Sequence, residues 1–213
     1  MFGIFVQEGT GFAAKREPDK KSAHLVGYFQ SARYIQELSN HSLHQKFNLS
    51  LNTGSALTAK EKFKADGGIA IHIRLGDYLN TENFYFGVLA PAYYMNSLEA
   101  SGVGIGSTVW VFTDSPAIAK SVYSSTLETK FNLIWASESF ELSTIEEFKL
   151  LTNARKLVIA NSTFSWWAAM FAGEDCHTLC PSKWFESASD PEELMPKKWE
   201  NVESIWLQRK IPE

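Results

Sequence analysis

The stretch IAIHIRLGDYL, residues 69–79, carries two basic side chains, His72 and Arg74, inside an otherwise apolar run. In a strand, alternation places both on one face, about 6.6 Å apart, near the end of the strand. The guanidinium of Arg74 is a planar fork that suits two phosphate oxygens, and it cannot lose its charge. The pattern therefore indicates an anion site. The alternatives are an ion pair of Arg74 with Asp77 or Asp114, and a satisfied core position for His72.

A second polar group, Asn161, Ser162, Thr163 and Ser165, joins the apolar run KLVIA to the helix-like segment SWWAAMFAG. Free backbone N–H groups and the helix dipole make the N-terminus of a helix an anion site. Ordinary capping by one hydroxyl is the alternative, but three hydroxyls exceed what a cap requires. The group therefore favours phosphate binding at a strand-to-helix turn.

Glu146 and Glu147 begin the helix-like segment IEEFKLLTNAR, residues 145–155. Carboxylates in a first turn complement the helix dipole, which is the simpler explanation of both. A carboxylate can also accept two N–H donors of a guanine base at once. Both interpretations of Glu147 stay open on the sequence alone.

Several common ligand motifs do not occur in the sequence. They are a glycine-rich P-loop, a G-x-G-x-x-G turn, a D-x-D pair for a metal-bound diphosphate and a nucleophile elbow. A phosphate-bearing ligand would then be held by arginine and by helix ends. The sequence predicts neither a metal site nor a bound cofactor.

Short apolar strands alternate with helices in the second part of the chain. The predicted strands are GIAIHIRL, STVWVFTD, FNLIWAS, KLVIA and CHTLCP. Helices are predicted near Pro91, from Pro116 after a cap at Ser115, after a cap at Ser143 or Thr144, and over SWWAAMFAG. Such alternation is typical of parallel strands joined by right-handed crossovers. We expect an α/β fold, a Rossmann-like parallel sheet with helices on both faces, whose ligands bind beyond the carboxyl ends of the strands.

The pattern divides the chain into residues 1–65 and residues 66–213. In the first part, GYFQSARYIQELSNHSLHQKF shows helical spacing and predicts one or two amphipathic helices. The polar stretch SLNTGSALTAKEKFKADGG is interpreted as a linker or surface segment. The second part is predicted to be the Rossmann-like domain.

The charge of the chain limits its partners. A formal net charge of −4 and a pI near 5.8 argue against binding of nucleic acid and against a strong attraction to an anionic membrane. The sequence has no apolar run of membrane-spanning length, and its N-terminus lacks the pattern of a signal peptide. We expect a cytoplasmic protein, and peripheral association with the inner face of the membrane stays open.

Three stretches together resemble one known family. They are HIRLGDY at residues 72–78 followed by VFTDS, then IANSTFSWWAA, with GYFQSARYI upstream. In them the chain is similar to the alpha-1,2-fucosyltransferases, glycosyltransferase family 11. The resemblance implies the donor half of a GT-B glycosyltransferase that moves fucose from GDP-fucose to the 2-hydroxyl of a galactoside, with inversion and without a metal. Its partners would be a nucleotide sugar and a glycan acceptor.

The resemblance also implies roles for individual residues. Arg74 would be catalytic and hold the diphosphate, His72 would lie beside the nucleotide, and Glu147 would bind guanine. The other donor-binding positions that it implies are Gly76, Asp77, Asn161, Ser162, Thr163 and Ser165. These roles have a physical reason, since cations and N–H donors at the diphosphate stabilise the charge that GDP gains as it leaves.

The chain departs from the family pattern at Leu75, where the family usually has a second arginine, and at Glu147, where it usually has aspartate. The opening GGLGNQ, typical of the N-terminal half of the family, does not occur in this sequence. We therefore expect a fragment that binds the donor. The alternatives are a non-catalytic GDP-sugar binding module without its acceptor half, and an α/β domain without a nucleotide site.

Overall fold

The structure, a computed structural model, describes residues 3–6, 23–31, 33–34, 50–80, 85–191 and 193–208. Its strands are β1 Gly3–Val6, β2 Ala23–Val26, β3 Ile69–Ile73, β4 Thr108–Thr113, β5 Asn132–Trp135, β6 Lys156–Val158, β7 His177–Pro181 and β8 Glu200–Val202. Its helices are α1 Gly54–Ala65, α2 Pro91–Ala100, α3 Pro116–Leu127, α4 Ala136–Phe140, α5 Thr144–Leu151 and α6 Thr163–Phe171, with a 3₁₀ helix at Gly76–Leu79.

Within the described part of the chain, six strands form one parallel sheet in the order β5-β4-β3-β6-β7-β8. The chain enters this sheet at β3, moves outward to β5, and then returns to place β6 on the other side of β3. This is the strand order of a Rossmann-type sheet, which binds its ligands where the order reverses. The predicted Rossmann-like fold is confirmed, and its reversal lies between β3 and β6.

Helices cover both faces of this sheet and enclose two apolar cores. One core contains buried side chains of α1, α4, α5 and α6, and the other contains buried side chains of α2 and α3. Along β4, Trp110 and Phe112 belong to the first core, whereas Val109 and Val111 belong to the second. The period of two in these strands therefore distributes apolar side chains to both faces, as a parallel sheet covered on both sides requires.

Side chains of β3 alternate between the two faces as predicted. Ala70 packs in the core beneath α1 and α6, whereas Ile73 packs in the core beneath α2 and α3. His72 has the same parity as Ala70 and lies on the α6 face, where its ring centroid is 5.2 Å from that of Phe164. The basic end of β3 therefore lies against the N-terminal turn of α6.

Buried tyrosine hydroxyls hold backbone carbonyls at the carboxyl ends of β3 and β6. The donors and acceptors are Tyr94 and His72 at 3.0 Å, Tyr93 and Ile159 at 2.8 Å, and Tyr78 and Asn161 at 3.0 Å. A buried hydroxyl without a partner is unfavourable, so each bond favours one position of the strand end. Side chains from α2 and from the 3₁₀ helix thus fix the backbone at the reversal point.

The segment interpreted as a linker or surface segment contains helix α1, which its weak pattern did not predict. Thr53 caps the helix by accepting a hydrogen bond from the N–H of Ala56 at 3.2 Å. Ala56, Ala59 and Phe63 are buried against the sheet. Because two of these three residues are alanines, the apolar face gives only a weak helical pattern in the sequence. Burial of the one large side chain contributes about 1.5–3 kcal/mol, which is enough to anchor a short helix.

The amphipathic helices predicted for residues 27–47 lie largely outside the described residues. Within that stretch, helical backbone is described at Arg33 and Tyr34. Strands β1 and β2, which precede it, pair with each other in parallel. The division of the chain between residues 65 and 66 stays a prediction.

The helices predicted near Pro91, from Pro116 and after Ser143 are confirmed, with one difference in capping. Ser143 forms a capping box with Glu146 at the start of α5, whereas the side chain of Ser115 makes no cap hydrogen bond to the described α3. Strands β1, β2 and β8, helix α4 and the 3₁₀ helix were not predicted, because three to five residues are too few for a periodic signal. Ala136 and Ser137, predicted as the end of a strand, begin α4 instead.

Across the described ranges, no helix has both the length and the apolar character that crossing a bilayer requires.

Candidate functional site

Two cavities meet at the carboxyl ends of β3 and β6. The first, here called the acidic cavity, has a volume of about 280 Å³, and its lining includes His72, Arg74, Asp114, Ser137, Glu147 and Phe164. The second, here called the aromatic cavity, has a volume of about 360 Å³, and its lining includes Gln30, Arg74, Asp77, Tyr78, Ser162, Thr163 and Phe164. Arg74 and Phe164 line both cavities and therefore lie between them.

The guanidinium of Arg74 is paired with both acids that the sequence offers as partners. Its Nη2 lies 2.5 Å from Oδ1 of Asp77, and its Nη1 lies 2.9 Å from Oδ2 of Asp114. The group also lies over the ring of Tyr78, 5.3 Å from the centroid. Its Nε–H is buried and has no hydrogen-bond partner among the described residues. Arg74 therefore forms ion pairs and lines both cavities at the same time. The two carboxylates hold its guanidinium in a fixed orientation between the cavities.

The turn after Arg74 is built around the carboxylate of Asp114. The N–H of Leu75 donates to Oδ1 of Asp114 at 3.0 Å, and the Leu75 side chain is fully buried in the core beneath α2 and α3. A Cβ added to Gly76 would lie 2.5 Å from Oδ2 of the same carboxylate. Leu75 therefore packs away from both cavities, and Gly76 makes room for the acid that orients Arg74.

Replacing Gly76 by alanine is expected to lower the free energy of unfolding by about 1–2 kcal/mol, since the new methyl group displaces a carboxylate held by two donors. Urea denaturation of wild type and variant measures the difference. Gly104→Ala is the matched control, because the nearest atom to its added Cβ is Oγ of Ser107 at 3.8 Å. Equal losses in the two variants would contradict this account of Gly76.

His72 lies in the wall of the acidic cavity, where it is neutral. Burial, together with the neighbouring charge of Arg74, lowers the pKa of His72 to about 3. Its Nδ1 is buried and lacks a hydrogen-bond partner in the part of the chain that is described. A neutral imidazole can donate one hydrogen bond and accept another. His72 therefore offers a ligand hydrogen bonds and not a charge.

The two adjacent glutamates of α5 have different surroundings. Glu146 is partly exposed and completes the capping box, where hydrogen bonds from Ser143 and Thr53 lower its pKa to about 2. Glu147 is 8% exposed, accepts a hydrogen bond from the Ser137 hydroxyl and lines the acidic cavity. Burial raises the pKa of Glu147. Capping thus accounts for Glu146, whereas Glu147 is an acceptor turned inward beside a cavity.

The N-terminus of α6 opens on the aromatic cavity. The first bond inside the helix runs from the N–H of Trp166 to the carbonyl of Ser162 at 2.9 Å, so the N–H groups of residues 163–165 are not used within the helix. The hydroxyl of Ser162 makes no capping bond to the described helix, and it lines the cavity with Thr163. The hydroxyl of Ser165 donates to two carbonyls of its own turn and lies behind the cavity wall.

Asn161 holds the loops around the aromatic cavity. Its Nδ2 donates to the carbonyls of Phe86 at 2.6 Å, Trp184 at 3.0 Å and Gly87 at 3.3 Å. The residue is 1% exposed, and its amide nitrogen points at these three carbonyls. The structure therefore places the side-chain donor of Asn161 in the frame of the site.

Six of the nine residues predicted for the site line the two cavities. They are His72, Arg74, Asp77, Glu147, Ser162 and Thr163. Gly76, Asn161 and Ser165 support this lining from behind, through the contacts described above.

The aromatic cavity also contains residues that sequence analysis did not name as site residues. They are Tyr28, Gln30, Tyr78, Tyr85, Phe86, Phe164, Trp184 and Phe185. Trp184 and Phe185 follow the carboxyl end of β7, next to β6 in the sheet, so the rule that ligands bind at strand ends could have found them. Gln30 and Tyr28 belong to GYFQSARYI, which the family resemblance included without a role.

Where the structure describes the chain, no group of three or more His, Cys, Asp or Glu side chains is placed to hold a metal ion. The charges available at the cavities are those of Arg74 and the acids around it, together with the dipole of α6.

Comparison with known proteins gives a consistent result. The glycosyl transferase family 11 model matches residues 8–203. An alpha-1,2-colitosyltransferase of Escherichia coli is 29% identical over 199 residues, which cover 86% of this chain and 64% of that protein. The O-antigen biosynthesis glycosyltransferase WbnK of Escherichia coli is 30% identical over 137 residues, which cover 62% of this chain and 44% of that protein.

A mammalian protein is also similar to the chain. The galactoside alpha-(1,2)-fucosyltransferase 2 of Rattus norvegicus is 26% identical over 142 residues, 63% of this chain and 39% of that protein. The chain thus spans between 39% and 64% of the length of these three relatives. Because the family match extends over most of the sequence, including every residue of the two cavities, the chain belongs to glycosyl transferase family 11.

Proposed function

We propose that the chain carries the donor site of an alpha-1,2-glycosyltransferase of the GT-B type. It takes fucose from GDP-fucose and transfers it to the 2-hydroxyl of a galactoside, with inversion at the sugar carbon and without a metal. The observation that carries the proposal is the position of Arg74 between a cavity with a buried carboxylate and a cavity with an open helix N-terminus. A base fits the first kind of cavity, and a phosphate fits the second.

The guanine base is assigned to the acidic cavity. Glu147 is buried there and offers carboxylate oxygens that can accept the N1–H and the exocyclic amine of guanine together. Uracil has no such pair of donors on one edge. Neutral His72, in the same wall, adds a hydrogen bond without adding charge.

The diphosphate is assigned to the border between the cavities. There the Nε–H of Arg74 has no partner among the described residues, and the first turn of α6, whose N–H groups are not used within the helix, lines the same space through Ser162 and Thr163. Asp77 is half exposed, so a phosphate replaces its carboxylate on the guanidinium at little cost. Asp114 keeps its bond from the Leu75 N–H and continues to orient the group.

Transfer breaks the bond between the anomeric carbon and the phosphate oxygen and forms a bond from that carbon to the acceptor oxygen. GDP leaves with the electron pair, and the proton of the acceptor hydroxyl is released to the solvent, so the products are GDP, the glycoside and one proton. As the sugar becomes cationic, negative charge grows on the diphosphate, where Arg74 and the α6 N–H groups already point. Interactions that strengthen with this charge stabilise the transition state more than the bound substrate and so increase the rate.

The sugar is assigned to the aromatic cavity. Its walls combine the groups assigned to phosphate, Arg74 and the first turn of α6, with the faces of aromatic rings. One of these rings, Tyr78, stacks on Phe86 with 4.6 Å between the ring centroids. Apolar rings suit the C–H faces and the methyl group of a 6-deoxy sugar, with polar groups at the border to set its orientation. Two of the similar proteins are named for transfer of colitose and of fucose.

The function is tested by supplying the purified chain with GDP-fucose and a β-galactoside in a buffer that contains a chelator. The proposal expects release of GDP and a new glycoside linked at the 2-hydroxyl. GDP-mannose and UDP-galactose serve as control donors. Selective binding of GDP without transfer would favour the non-catalytic binding module, and binding of neither GDP nor GDP-fucose would contradict the proposal.

Replacing Glu147 by glutamine is expected to weaken GDP binding by about 10- to 100-fold. The change turns one charged carboxylate oxygen, an acceptor, into an amide NH₂ group that faces the N–H donors of guanine. The preference for GDP over IDP, which lacks the exocyclic amine, is expected to disappear. Wild-type affinity should also fall as the pH is lowered through the raised pKa of Glu147, since protonation removes an acceptor.

Calorimetric titration of GDP and IDP at several pH values measures these effects. Glu146→Gln is the matched control, because it is the neighbouring residue and glutamine retains the capping box. A Glu147→Gln variant that keeps the preference for GDP would refute the assignment of guanine to the acidic cavity.

A further inference from the structure

Gln30 has an unused hydrogen-bond donor in the wall of the aromatic cavity. The residue is 2% exposed and lines this cavity together with Ser162 and Thr163. Its Oε1 accepts a hydrogen bond from the Thr163 hydroxyl at 3.0 Å. Its Nε2 is buried and finds no hydrogen-bond partner among the described residues. A buried amine without an acceptor is unfavourable, so the fold holds a donor ready at the N-terminus of α6.

The backbone around Gln30 is fixed in a position that it would not take without support. Phe29 has a φ of 51°, in the left-handed region that residues other than glycine rarely adopt. On one side, the Tyr28 carbonyl accepts a bond from the Trp167 indole of α6 at 3.3 Å. On the other, the hydroxyl of buried Ser31 donates to Glu193 at 3.3 Å. These contacts hold the segment against α6 and keep the amide of Gln30 at the cavity.

We propose that Gln30 binds the donor substrate, with Nε2 donating a hydrogen bond to an oxygen of the sugar-linked phosphate. The inference rests on the proposed function and adds a residue to it. The donors that converge here are N–H groups of α6, the guanidinium of Arg74 and the side-chain amide N–H of Gln30, and they suit a ligand that only accepts. The Asp77 carboxylate also lines the cavity, and it is the group that phosphate replaces on Arg74. With guanine in the acidic cavity beyond Arg74, the phosphate nearer to Gln30 is the one that carries the sugar.

The test compares affinities for GDP and GMP, which differ by that phosphate, in wild type and in three variants. Gln30→Met keeps the approximate size of the side chain and removes the amide. Gln30→Glu keeps the shape and replaces the amine by a carboxylate oxygen. Ser31→Ala removes one hydrogen bond to Glu193, while the bond between Trp167 and the Tyr28 carbonyl and the ion pair between Arg33 and Glu193 still dock the segment.

We expect Gln30→Met to lower the affinity for GDP about tenfold, because the variant loses one hydrogen bond to a charged group. The affinity for GMP should stay unchanged. Gln30→Glu should lower the affinity for GDP further, because its carboxylate repels the phosphate. Ser31→Ala should keep the wild-type ratio of the two affinities.

Three results would overturn the inference. One is a GDP-to-GMP ratio that neither Gln30 variant changes, and another is an equal loss for both nucleotides. The third is a Ser31→Ala variant whose ratio falls as far as that of Gln30→Met, which would assign the effect to docking of the segment. If wild type fails to bind GDP, the proposed function itself fails, so the two failures are distinguishable.

Discussion

Replacing Arg74 by alanine is expected to lower the affinity for GDP by at least about 1000-fold, which is the loss of about 4 kcal/mol. The variant removes a guanidinium placed to make two charge-assisted hydrogen bonds to phosphate oxygens. It also leaves the carboxylates of Asp77 and Asp114 without their cation, and both then repel the diphosphate. Calorimetric titration with GDP measures the loss, and GDP-fucose consumption should fall with it.

Two further variants separate charge from geometry in this result. Arg74→Lys keeps the positive charge but loses the planar fork, so its affinity should lie between those of wild type and Arg74→Ala. Lys120→Ala is the matched control, because it removes one positive charge from an exposed surface pair with Glu138. If Arg74→Ala is folded and still binds GDP like wild type, then Arg74 is a structural ion-pair residue and the proposed site is wrong.

The largest expected effect on stability is that of Asn161→Asp, about 3–5 kcal/mol of unfolding free energy at neutral pH. The change replaces the amide NH₂ group, which donates to the carbonyls of Phe86, Gly87 and Trp184, by a carboxylate oxygen. The size and shape of the side chain stay nearly the same. Ionised, the new group is repelled by those carbonyls, and protonated it supplies one donor in place of two. Urea denaturation followed by tryptophan fluorescence measures the loss.

The pH dependence of this loss has a definite sign. Burial against carbonyls raises the pKa of the new carboxyl group in the folded state above its unfolded value. The variant is therefore least destabilised in acid, and its stability falls further as the pH rises through the folded pKa. Asn132→Asp is the control, because that amide is exposed and donates to one carbonyl, of Gly106, at 2.7 Å. A loss at Asn161 no greater than at Asn132 would show that the three bonds do not hold the loops.

Much of the fold followed from local patterns in the sequence. The strands ending at Ile73, Thr113 and Val158 are short apolar runs followed by turn residues, and the predicted helices near Pro91, from Pro116 and after Ser143 separate them. Parallel strands bring their carboxyl ends to one edge of the sheet, so the sequence alone places His72, Arg74 and the turn at Ser162 together. The structure brings these residues to the two cavities.

The parts that could not be predicted depend on contacts distant in sequence. Helix α1 is stable because Phe63 packs against the sheet, which its alanine-rich face does not reveal. The amide of Asn161 points at carbonyls of two distant loops, and only the fold brings these together. Gln30 reaches the cavity because its segment docks on α6 through Trp167, more than one hundred residues later in the chain.

Glu146 and Glu147 are adjacent in the sequence but have different surroundings in the structure. From the sequence, both glutamates of α5 could serve the helix dipole. In the structure the partly exposed Glu146 takes the capping role, and the buried Glu147 lines the acidic cavity with His72 and Arg74. Neighbouring residues of a helix point in different directions. Which of the two is buried depends on the surface against which the helix packs, and the sequence of the helix does not show that surface.

The most direct test of the central claim is a crystal structure of the chain in complex with GDP. We predict guanine in the acidic cavity with its N1–H and amine on Glu147, and the diphosphate between Arg74 and the N-terminus of α6. The Asp77 carboxylate should have left the guanidinium, while Asp114 stays. A complex with GDP in the reverse orientation, or bound away from these cavities, would contradict the account.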